Sequence, residues 1–242
     1  MSNENENREI DKVITIDINK EMQLSNTSIL KIFENMACIH GALCGESVKT
    51  SDIRWFLTAY EVNVTRRPEI EERICVHTWS REMRGVSACR EFEIYDENGE
   101  LCITGISNWA RTNAATQRLE RITPDIAAKY ESEPQHTNFK KPWLEKLAEP
   151  TEYKSHREFT VDRNYIDVNN HMNNVFYLDL AELVLPDAVY EMEESKKFKI
   201  MYRRAIKYGE TVGCFYSETE SSYSVVLRDE TGAVRAIIEF EK

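Results

Sequence analysis

Residues 25–45 read SNTSILKIFENMACIHGALCG, a pattern typical of one amphipathic helix. Ser25, Asn26 or Thr27 can cap its start, because a short side-chain oxygen accepts a hydrogen bond from a backbone N–H of the first turn. Gly45 can end the helix, since glycine commonly follows the last helical turn. Helical spacing places six residues on one face: Ile29, Ile32, Phe33, Met36, Ala37 and His40.

Segments with the composition of β-strands surround this helix. Residues 12–19, KVITIDIN, alternate apolar and polar side chains and predict one strand before it. Four segments after it are rich in Val, Ile, Tyr, Phe, Trp and Thr: 55–68, 72–83, 85–99 and 100–113. Residues 96–99 read DENG and predict a turn between the last two, because Gly99 can take a positive φ.

The second half of the chain repeats this order of elements. Residues 155–167 predict a strand, and residues 173–185 predict a helix that Pro186 ends. Three further strands are predicted: 196–212, 214–232 and 233–241. A helix followed by a curved antiparallel sheet is the plan of the hotdog fold. We therefore predict an α+β tandem (double) hotdog, in which each unit is a long helix wrapped by a curved antiparallel β-sheet.

The predicted domain boundaries follow from local composition. Residues 1–11 are polar and acidic, and we expect them to form a disordered tail. Residues 12–135 are the predicted N-terminal hotdog domain, and residues 155–242 are the predicted C-terminal one. Residues 136–154 are the predicted linker, within a partly helical stretch that contains several prolines.

Composition excludes some classes of function. The chain has 242 residues and a formal net charge of −11. This charge argues against generic binding to nucleic acid or to an anionic membrane, because both need a positive field. The six cysteines form no CxxC pair, which is typical of a reduced cytosolic interior. No apolar run reaches the ~18 residues of a spanning helix, so we expect a cytoplasmic protein without a membrane span.

The densest polar cluster is DVNNHMNN, directly before the second predicted helix. Asp167, Asn169 and His171 are spaced i, i+2 and i+4, so in an extended or loosely looped segment they can face one cavity. Histidine can move a proton near neutral pH, asparagine can donate and accept hydrogen bonds, and a carboxylate can orient the histidine or a water. The helix start would add backbone N–H groups and a positive dipole end, which suit a developing oxyanion.

Two interpretations of this cluster stay open from the residues alone. Asn-rich stretches before helices are commonly turns and caps, and a single histidine is more often structural than catalytic. If the cluster is catalytic, water is the more economical nucleophile, because no activated side chain is apparent and Cys214 is isolated in sequence. His40, on the apolar face of the first helix, is expected to be a satisfied core histidine.

The cluster and the segment after it are similar to the Asp-x-Asn-x-His-x-Asn-Asn motif of acyl-ACP thioesterases, with Tyr177, Glu182 and Pro186 trailing it. Four other segments resemble the same family: 55–68, 74–85, 107–123 and 201–212. The resemblance covers most of residues 12–240. It implies a tandem hotdog that hydrolyses the fatty acyl thioester on acyl carrier protein, releases free fatty acid and ends chain extension.

The resemblance also implies the site residues and the partners. Asp167, Asn169 and His171 carry over as the active-site residues, and no metal or organic cofactor is needed. The substrate would be acyl carrier protein bearing a fatty acyl chain, and the protein would be a monomer or a homodimer. The N-terminal domain would supply the acyl-chain pocket, lined by residues of its helix: Ile29, Ile32 and Phe33.

One strand departs from the family pattern. The family often reads Tyr-basic-basic-Glu-Cys at residues 202–206, whereas this chain reads YRRAI, with Ala205 and Ile206 in place of the Glu and the Cys. Either the aspartate and histidine of the motif position the water alone, which we favour, or another carboxylate substitutes, Glu210 or Glu182. The departure keeps open a slow or non-catalytic acyl-binding hotdog protein. An acyl-CoA thioesterase of the hotdog superfamily is a neighbouring hypothesis, because the histidine motif alone would also fit other hotdog thioesterases.

Basic residues cluster at a few places in this acidic chain. They could meet the acidic surface of acyl carrier protein and speed encounter, or they could form an ordinary solvated face. The groups are Arg66 with Arg67; Lys196, Lys197 and Lys199; and Arg203, Arg204 and Lys207.

Overall fold

The computed structural model describes residues 9–14, 18–191 and 196–242 of the chain. The chain divides into two compact units, Met1–Leu144 and Glu145–Lys242. Each unit has its own antiparallel strands, with a helix packed against them.

The first unit contains five strands and two helices among the described residues. In chain order they are β1 (Glu9–Val13), α1 (Asn26–Leu43), β2 (Ile53–Val64), β3 (Arg73–Arg84), β4 (Ser87–Tyr95), β5 (Leu101–Asn113) and α2 (Pro124–Lys129). The strands pair antiparallel in the order β1-β3-β4-β5-β2. The four strands predicted after the first helix are confirmed, each within a few residues of its predicted bounds.

Helix α1 begins and ends where its sequence predicts. The side-chain oxygen of Ser25 accepts a hydrogen bond from the backbone N–H of Ser28 at 3.2 Å, so the predicted cap forms. Gly45 follows the last turn with a φ of +88°, a left-handed conformation that costs glycine little. Five residues of the predicted face are buried: Ile29, Ile32, Phe33, Met36 and His40.

Phe33 brings α1 onto the sheet of the first unit. Its ring stacks on that of Phe92 in β4, with ring centroids 4.3 Å apart. A Cβ at Gly105 of β5 would lie 2.3 Å from a ring carbon of Phe33. Any larger residue at this strand position would push the helix away from the sheet, so the close approach requires glycine.

The predicted N-terminal tail is wrong at its inner boundary. Residues 9–11 belong to β1, which pairs antiparallel with β3. Local composition could not reveal this pairing, because the partner strand lies far along the chain. Residues 1–8 and 15–17 lie outside the described residues, and with them the rest of the predicted tail and part of the predicted strand 12–19.

The second unit contains five strands, two short helices and one 3-10 turn among the described residues. They are β6 (Ser155–Thr160), the 3-10 turn (Arg163–Tyr165), α3 (Phe176–Glu182), α4 (Asp187–Glu191), β7 (Lys197–Tyr202), β8 (Thr211–Glu218), β9 (Ser222–Asp229) and β10 (Val234–Glu241). The strands pair antiparallel in the order β7-β10-β9-β8-β6, and α3 lies against β9 and β10. The predicted repeat of a helix followed by antiparallel strands is present.

The second helix is shorter than predicted. Instead of spanning 173–185, α3 covers Phe176–Glu182, because the Asn173 side chain accepts a hydrogen bond from the backbone N–H of Val175 at 3.1 Å and keeps these residues in a turn. The long helix predicted for each unit is therefore present in the first unit only, within the described ranges. No helix in those ranges is both long and apolar enough to cross a membrane.

Three of the predicted strands of the second unit are also shorter. The predicted strand 196–212 ends at Tyr202, and the residues from 203 to 210 form the connection to β8. The predicted strand 155–167 ends at Thr160, because the Asp162 side chain accepts a hydrogen bond from the backbone N–H of Arg163 and starts the 3-10 turn. The predicted strand 214–232 is interrupted by a turn that separates β8 from β9. The end of β6 at Thr160 is explained by a polar side chain that bonds to the neighbouring backbone. The spacing of apolar residues does not predict such a bond.

The two aspartate–glycine turns share one geometry, which extends the repeat beyond the order of elements. In each, a glycine with positive φ donates its N–H to the carbonyl of the aspartate three residues earlier: Gly99 to Asp96, and Gly232 to Asp229. In each, Oδ1 of the aspartate accepts hydrogen bonds from two further backbone N–H groups. The bond from the N–H of Glu100 is the largest cause that holds the pKa of the Asp96 carboxyl below its usual range.

Candidate active site

The residues predicted to form the site close a loop around one carboxylate. Oδ1 of Asp167 accepts hydrogen bonds from the backbone N–H groups of Asn169 at 2.8 Å and of His171 at 3.1 Å. Oδ2 of Asp167 accepts from the side-chain Nδ2 of Asn169 at 3.2 Å. The backbone N–H of Asp167 donates to the carbonyl of His171 at 2.8 Å. The three residues are therefore brought together, and each is half-buried.

The loop reverses direction at Asn170. Its φ is +59°, in the left-handed region that asparagine tolerates better than most residues with a Cβ. Its N–H donates to the carbonyl of Asp167 at 3.1 Å, and Ile166 and Met172 close the loop as an antiparallel bridge. The hydrogen bonds of the loop thus explain the predicted proximity. Of the extended and the loosely looped arrangements, the structure has the loop, in which the residues surround one carboxylate.

The end of β7 and the residues after it hold this loop in place. The backbone N–H of Met172 donates to the carbonyl of Ile206 at 2.8 Å, and the N–H of Ile206 donates to the hydroxyl oxygen of Tyr177 at 3.1 Å. The hydroxyl of Tyr202 donates to the carbonyl of Asn174 at 3.1 Å. Tyr177 is buried, and burial raises the pKa of its hydroxyl to about 12. The sequence offered no signal for this role of Tyr177 beyond its place after the motif.

The backbone N–H groups at the start of α3 are engaged within the chain. Those of residues 175–177 donate, at 3.1 to 3.3 Å, to oxygens of Asn173 and Asn174. They were expected to polarise a bound carbonyl, but their hydrogens already point at acceptors in the turn. The side chain of Asn169 is the better-placed donor, because its amide carries two hydrogens and the contact with Asp167 uses one.

Two family models match the chain in succession. Residues 7–130 match the acyl-ACP thioesterase N-terminal domain, and residues 148–242 match the acyl-ACP thioesterase C-terminal domain. The chain belongs to the acyl-ACP thioesterase family. The resemblance predicted from the motif and the four other segments is confirmed.

The curated relatives of this family member are longer than it is. A chloroplastic acyl-acyl carrier protein hydrolase of Cuphea viscosissima is 30% identical over 194 residues, which are 75% of this chain and 47% of the relative. The chloroplastic oleoyl-acyl carrier protein thioesterase 2 of Arabidopsis thaliana is 23% identical over 208 residues, which are 78% of this chain and 56% of the relative. The chain therefore spans about half the length of the curated relatives it matches.

Solved structures of the family share the fold. An acyl-ACP thioesterase from Bacteroides thetaiotaomicron superposes with a TM-score of 0.84 at 18% identity and covers 96% of both chains. A 12:0-ACP thioesterase from Umbellularia californica superposes with a TM-score of 0.82 at 20% identity and covers 97% of both chains. At such identities the likeness shows the fold alone. This acyl-ACP thioesterase family protein has the predicted α+β tandem hotdog fold.

Glu210, one candidate to replace the family glutamate, is already paired. Its Oε2 lies 3.3 Å from a guanidinium nitrogen of Arg235 and accepts a hydrogen bond from the backbone N–H of Lys207 at 3.2 Å. The same Arg235 donates to Asp229 at 2.8 Å. Glu210 therefore serves the turn before β8. Glu182, the other candidate, is the half-buried last residue of α3.

Cys214 and His40 occupy core positions in this family member. Cys214 of β8 is fully buried, and burial raises the pKa of its thiol to about 12, far from that of a reactive thiolate. Nδ1 of His40 lies 2.9 Å from a guanidinium nitrogen of Arg90, and its ring meets that of Tyr130 edge-on. The predicted core histidine is confirmed, and Cys214 has no features of a nucleophile.

The predicted basic residues differ in the bonds that they make within the chain. Arg66 and Arg67 bond to carboxylate, amide and carbonyl oxygens of the first unit. Lys197 and Lys199 lie 3.3 and 3.6 Å from carboxylates of β10. Lys196 is exposed, and so are the three basic residues on either side of Ile206: Arg203, Arg204 and Lys207. A guanidinium nitrogen of Arg203 donates to the carbonyl of Leu147 at 3.5 Å.

A cavity of about 290 Å³ lies in the first unit, beside α1, β1 and β3. Its lining combines four apolar residues, Ile10, Ile32, Met36 and Val76, with three polar ones, Lys12, Lys31 and Asn35. Of the residues predicted to line the acyl-chain pocket, Ile32 borders this cavity. Ile29 and Phe33 are fully buried instead.

Proposed function

We propose that this protein hydrolyses fatty acyl-ACP thioesters to free fatty acid and acyl carrier protein, and so terminates fatty acid chain elongation. The observation that carries the proposal is the closed loop, in which the Asp167 carboxylate holds Asn169 and His171 by three hydrogen bonds. Membership of the acyl-ACP thioesterase family supports the substrate class.

Water is the nucleophile in the proposed reaction. His171 takes a proton from the water while the water oxygen attacks the thioester carbonyl carbon. A tetrahedral intermediate forms. The carbon–sulfur bond then breaks, and His171 returns the proton to the leaving sulfur. One water is consumed, the products are the fatty acid and the carrier thiol, and the imidazole ends as it began.

Asn169 and Asp167 have different tasks in this mechanism. The second amide hydrogen of Asn169 donates to the carbonyl oxygen as negative charge develops there, an interaction typically worth about 10²–10³ in kcat. Asp167 acts through the loop, because its hydrogen bonds reach the backbone of both partners and the Asn169 amide. Asp167 is a positioning residue that keeps the Asn169 amide and the His171 imidazole at a fixed separation.

The departure at Ala205 and Ile206 is compatible with this mechanism. Ile206 supports the loop through its peptide group, whose carbonyl bonds to Met172 whatever side chain position 206 carries. We propose that His171, held in the loop by Asp167, positions the water without a further carboxylate. The pairing of Glu210 with Arg235 supports this choice over substitution by Glu210.

Arg203, Arg204 and Lys207 are the proposed docking surface for acyl carrier protein. All three are exposed, and they flank the residue whose backbone bonds to the loop. Opposite charge on a partner would steer encounter toward this place and would act over about 8–10 Å at physiological salt. Arg66 and Arg67 are weaker candidates, because two carboxylates already neutralise the charge of Arg66 and Arg67 is half-buried.

The N-terminal hotdog domain is the proposed site of the acyl-chain pocket. The cavity of about 290 Å³ in the first unit supports this, because its apolar side chains, Ile32 and Met36 among them, suit a hydrocarbon chain.

A thiol-release assay tests the proposed function. The purified protein is mixed with acyl carrier proteins that bear chains of different length and saturation, and a thiol probe follows the free carrier. We expect the carrier thiol to be released at a rate that depends on the length and saturation of the acyl chain. The same acyl groups on CoA separate the two thioesterase hypotheses, since faster turnover of acyl-CoA would favour the hotdog acyl-CoA thioesterase.

A non-catalytic acyl-binding protein is the second candidate. The observation that favours it is the pair Ala205 and Ile206, which replaces the Glu and Cys often present in the family. Binding of acyl-ACP without release of thiol would support this candidate and would exclude the hydrolase.

A further inference from the structure

Three side chains of different chemistry converge on one face of β1 and β3. Cys75 and His77 are two residues apart on β3, so their side chains lie on the same side of the strand. Glu9 of β1 is the direct cross-strand partner of His77. Nε2 of His77 lies 3.3 Å from Sγ of Cys75 and 3.1 Å from Oε2 of Glu9. The three donor atoms all lie within 4.8 Å of one another.

Without an ion, Nε2 of His77 would have to share one hydrogen or one lone pair between its two short contacts. A neutral imidazole nitrogen carries either one hydrogen or one lone pair, so Nε2 can direct that single group fully at only one of the two partners. A tetrahedral ion with bonds of about 2.3 Å to sulfur and about 2.0 Å to nitrogen and oxygen would separate sulfur from nitrogen by about 3.6 Å, and nitrogen from oxygen by about 3.3 Å. The observed separations are close to both values.

We propose that Glu9, Cys75 and His77 bind a divalent transition-metal ion of the zinc class, with water at the fourth position. Thiolate and imidazole ligands select such ions over Mg²⁺ and Ca²⁺, which prefer oxygen. One thiolate and one carboxylate also balance the double positive charge. Glu9 is exposed, while Cys75 and His77 are half-buried, so an ion can enter from solvent.

The surroundings of the three ligands indicate what the ion would do. The ring of Tyr95 packs against that of His77, with centroids 5.1 Å apart, which restricts rotation of the imidazole. Val76, between the two ligands of β3, and its cross-strand partner Ile10 point to the opposite face and line the cavity of the first unit. The ion would therefore join β1 to β3 behind the cavity wall and stabilise that strand pair. It has no part in the proposed hydrolysis.

Titration of the full-length protein with Co²⁺ tests this site, after any bound metal has been removed with a chelator and the chelator has been washed away. Cobalt substitutes for zinc and gives a sulfur-to-metal charge-transfer band when a thiolate is a ligand. One equivalent should produce this band, and Zn²⁺ should then abolish it, because zinc binds such ligands more tightly than cobalt.

Three variants and one control assign the ligands. Cys75→Ser should remove the band, and Glu9→Gln and His77→Gln should each weaken cobalt binding by about tenfold or more, since even the hydrogen-bond partners of ligands contribute ~10–100-fold. Cys38→Ser removes an exposed thiol of α1 and should leave the band unchanged. Thermal unfolding without metal checks that each variant folds, and Glu9→Gln, at an exposed position, alters the fold least.

Absence of the band in the wild-type protein would overturn the proposal. So would a band of equal strength in Cys75→Ser, or cobalt affinity unchanged in the folded Glu9→Gln variant. Each of these results would leave the three side chains as a hydrogen-bonded cluster.

Discussion

The backbone N–H of Ile206 donates a hydrogen bond to the hydroxyl oxygen of Tyr177 at 3.1 Å, while the carbonyl of the same Ile206 accepts one from Met172 at 2.8 Å. One peptide segment therefore ties α3 to the loop that carries Asn169 and His171. Position 206 contributes its backbone, in a family that often has cysteine there.

Replacing Tyr177 with phenylalanine tests this tie. The variant leaves the buried N–H of Ile206 without its acceptor, which should lower the free energy of unfolding by about 1–3 kcal/mol. It should also lower kcat for acyl-ACP, because the loop loses part of its support. Denaturant unfolding and the thiol-release assay measure the two effects. Tyr216→Phe, at a buried tyrosine of β8, is the matched control, and equal kcat losses in both variants would count against a positioning role for Tyr177.

Asp167→Asn tests whether the carboxylate organises the loop. Asparagine has the shape of aspartate but only one acceptor oxygen. Its NH₂ group would face an N–H group that donates a hydrogen bond to the carboxylate in the wild type. We expect a loss of about 1–3 kcal/mol in the free energy of unfolding and a fall in kcat of about 10²-fold or more. The measurements are denaturant unfolding and thiol release. Normal stability together with lost activity would indicate a direct chemical role for Asp167 instead.

Charge reversal tests the proposed docking surface. Arg204→Glu combined with Lys207→Glu should lower kcat/KM for acyl-ACP and should flatten its dependence on salt, because steering is screened by ions. The rate with the same acyl group on CoA should change little. Lys49→Glu, at an exposed lysine of the first unit, is the control. If kcat/KM of the double variant depended on salt as strongly as that of the wild type, the proposed docking surface would be contradicted.

Glu218 makes stability depend on pH. Hydrogen bonds from Lys154 and then Lys242 lower the pKa of its carboxyl from an ordinary value of 4.5 to about 2. Because the folded pKa is depressed, this contribution is present above pH 4.5 and is lost as the pH falls toward 2. Glu218→Gln should therefore show a shallower fall of Tm across this window than the wild type. Glu220→Gln, at an exposed neighbour, should behave like the wild type, and identical slopes in all three proteins would contradict the prediction.

Local signals predicted much of the fold. Helix α1 could be predicted because its cap at Ser25 and its apolar face depend on residues a few positions apart. The turn at Gly99 could be predicted for the same reason, since only a residue that adopts positive φ fits there.

The errors arose where backbone pairing or side-chain caps override local pattern. Residues 9–11 form a strand because β3 pairs with them, and the local spacing of apolar residues does not predict that pairing. Helix α3 begins at Phe176 rather than at residue 173, because the Asn173 side chain bonds to the backbone of Val175 and holds a turn there. The spacing of apolar residues alone favoured a longer helix. The tie between Tyr177 and Ile206 joins residues far apart in the chain, so a single sequence carries no sign of it.

The rate of thiol release from acyl-ACP by His171→Ala, compared with that of Val168→Ala, tests the central claim most directly. Val168 lies in the same loop with 82% of its surface exposed, so its variant controls for any change in the loop itself. We predict that Val168→Ala keeps the wild-type rate and that His171→Ala loses about 10²-fold or more in kcat. A His171→Ala variant that folds and releases thiol at the wild-type rate would show that this loop is not the catalytic centre.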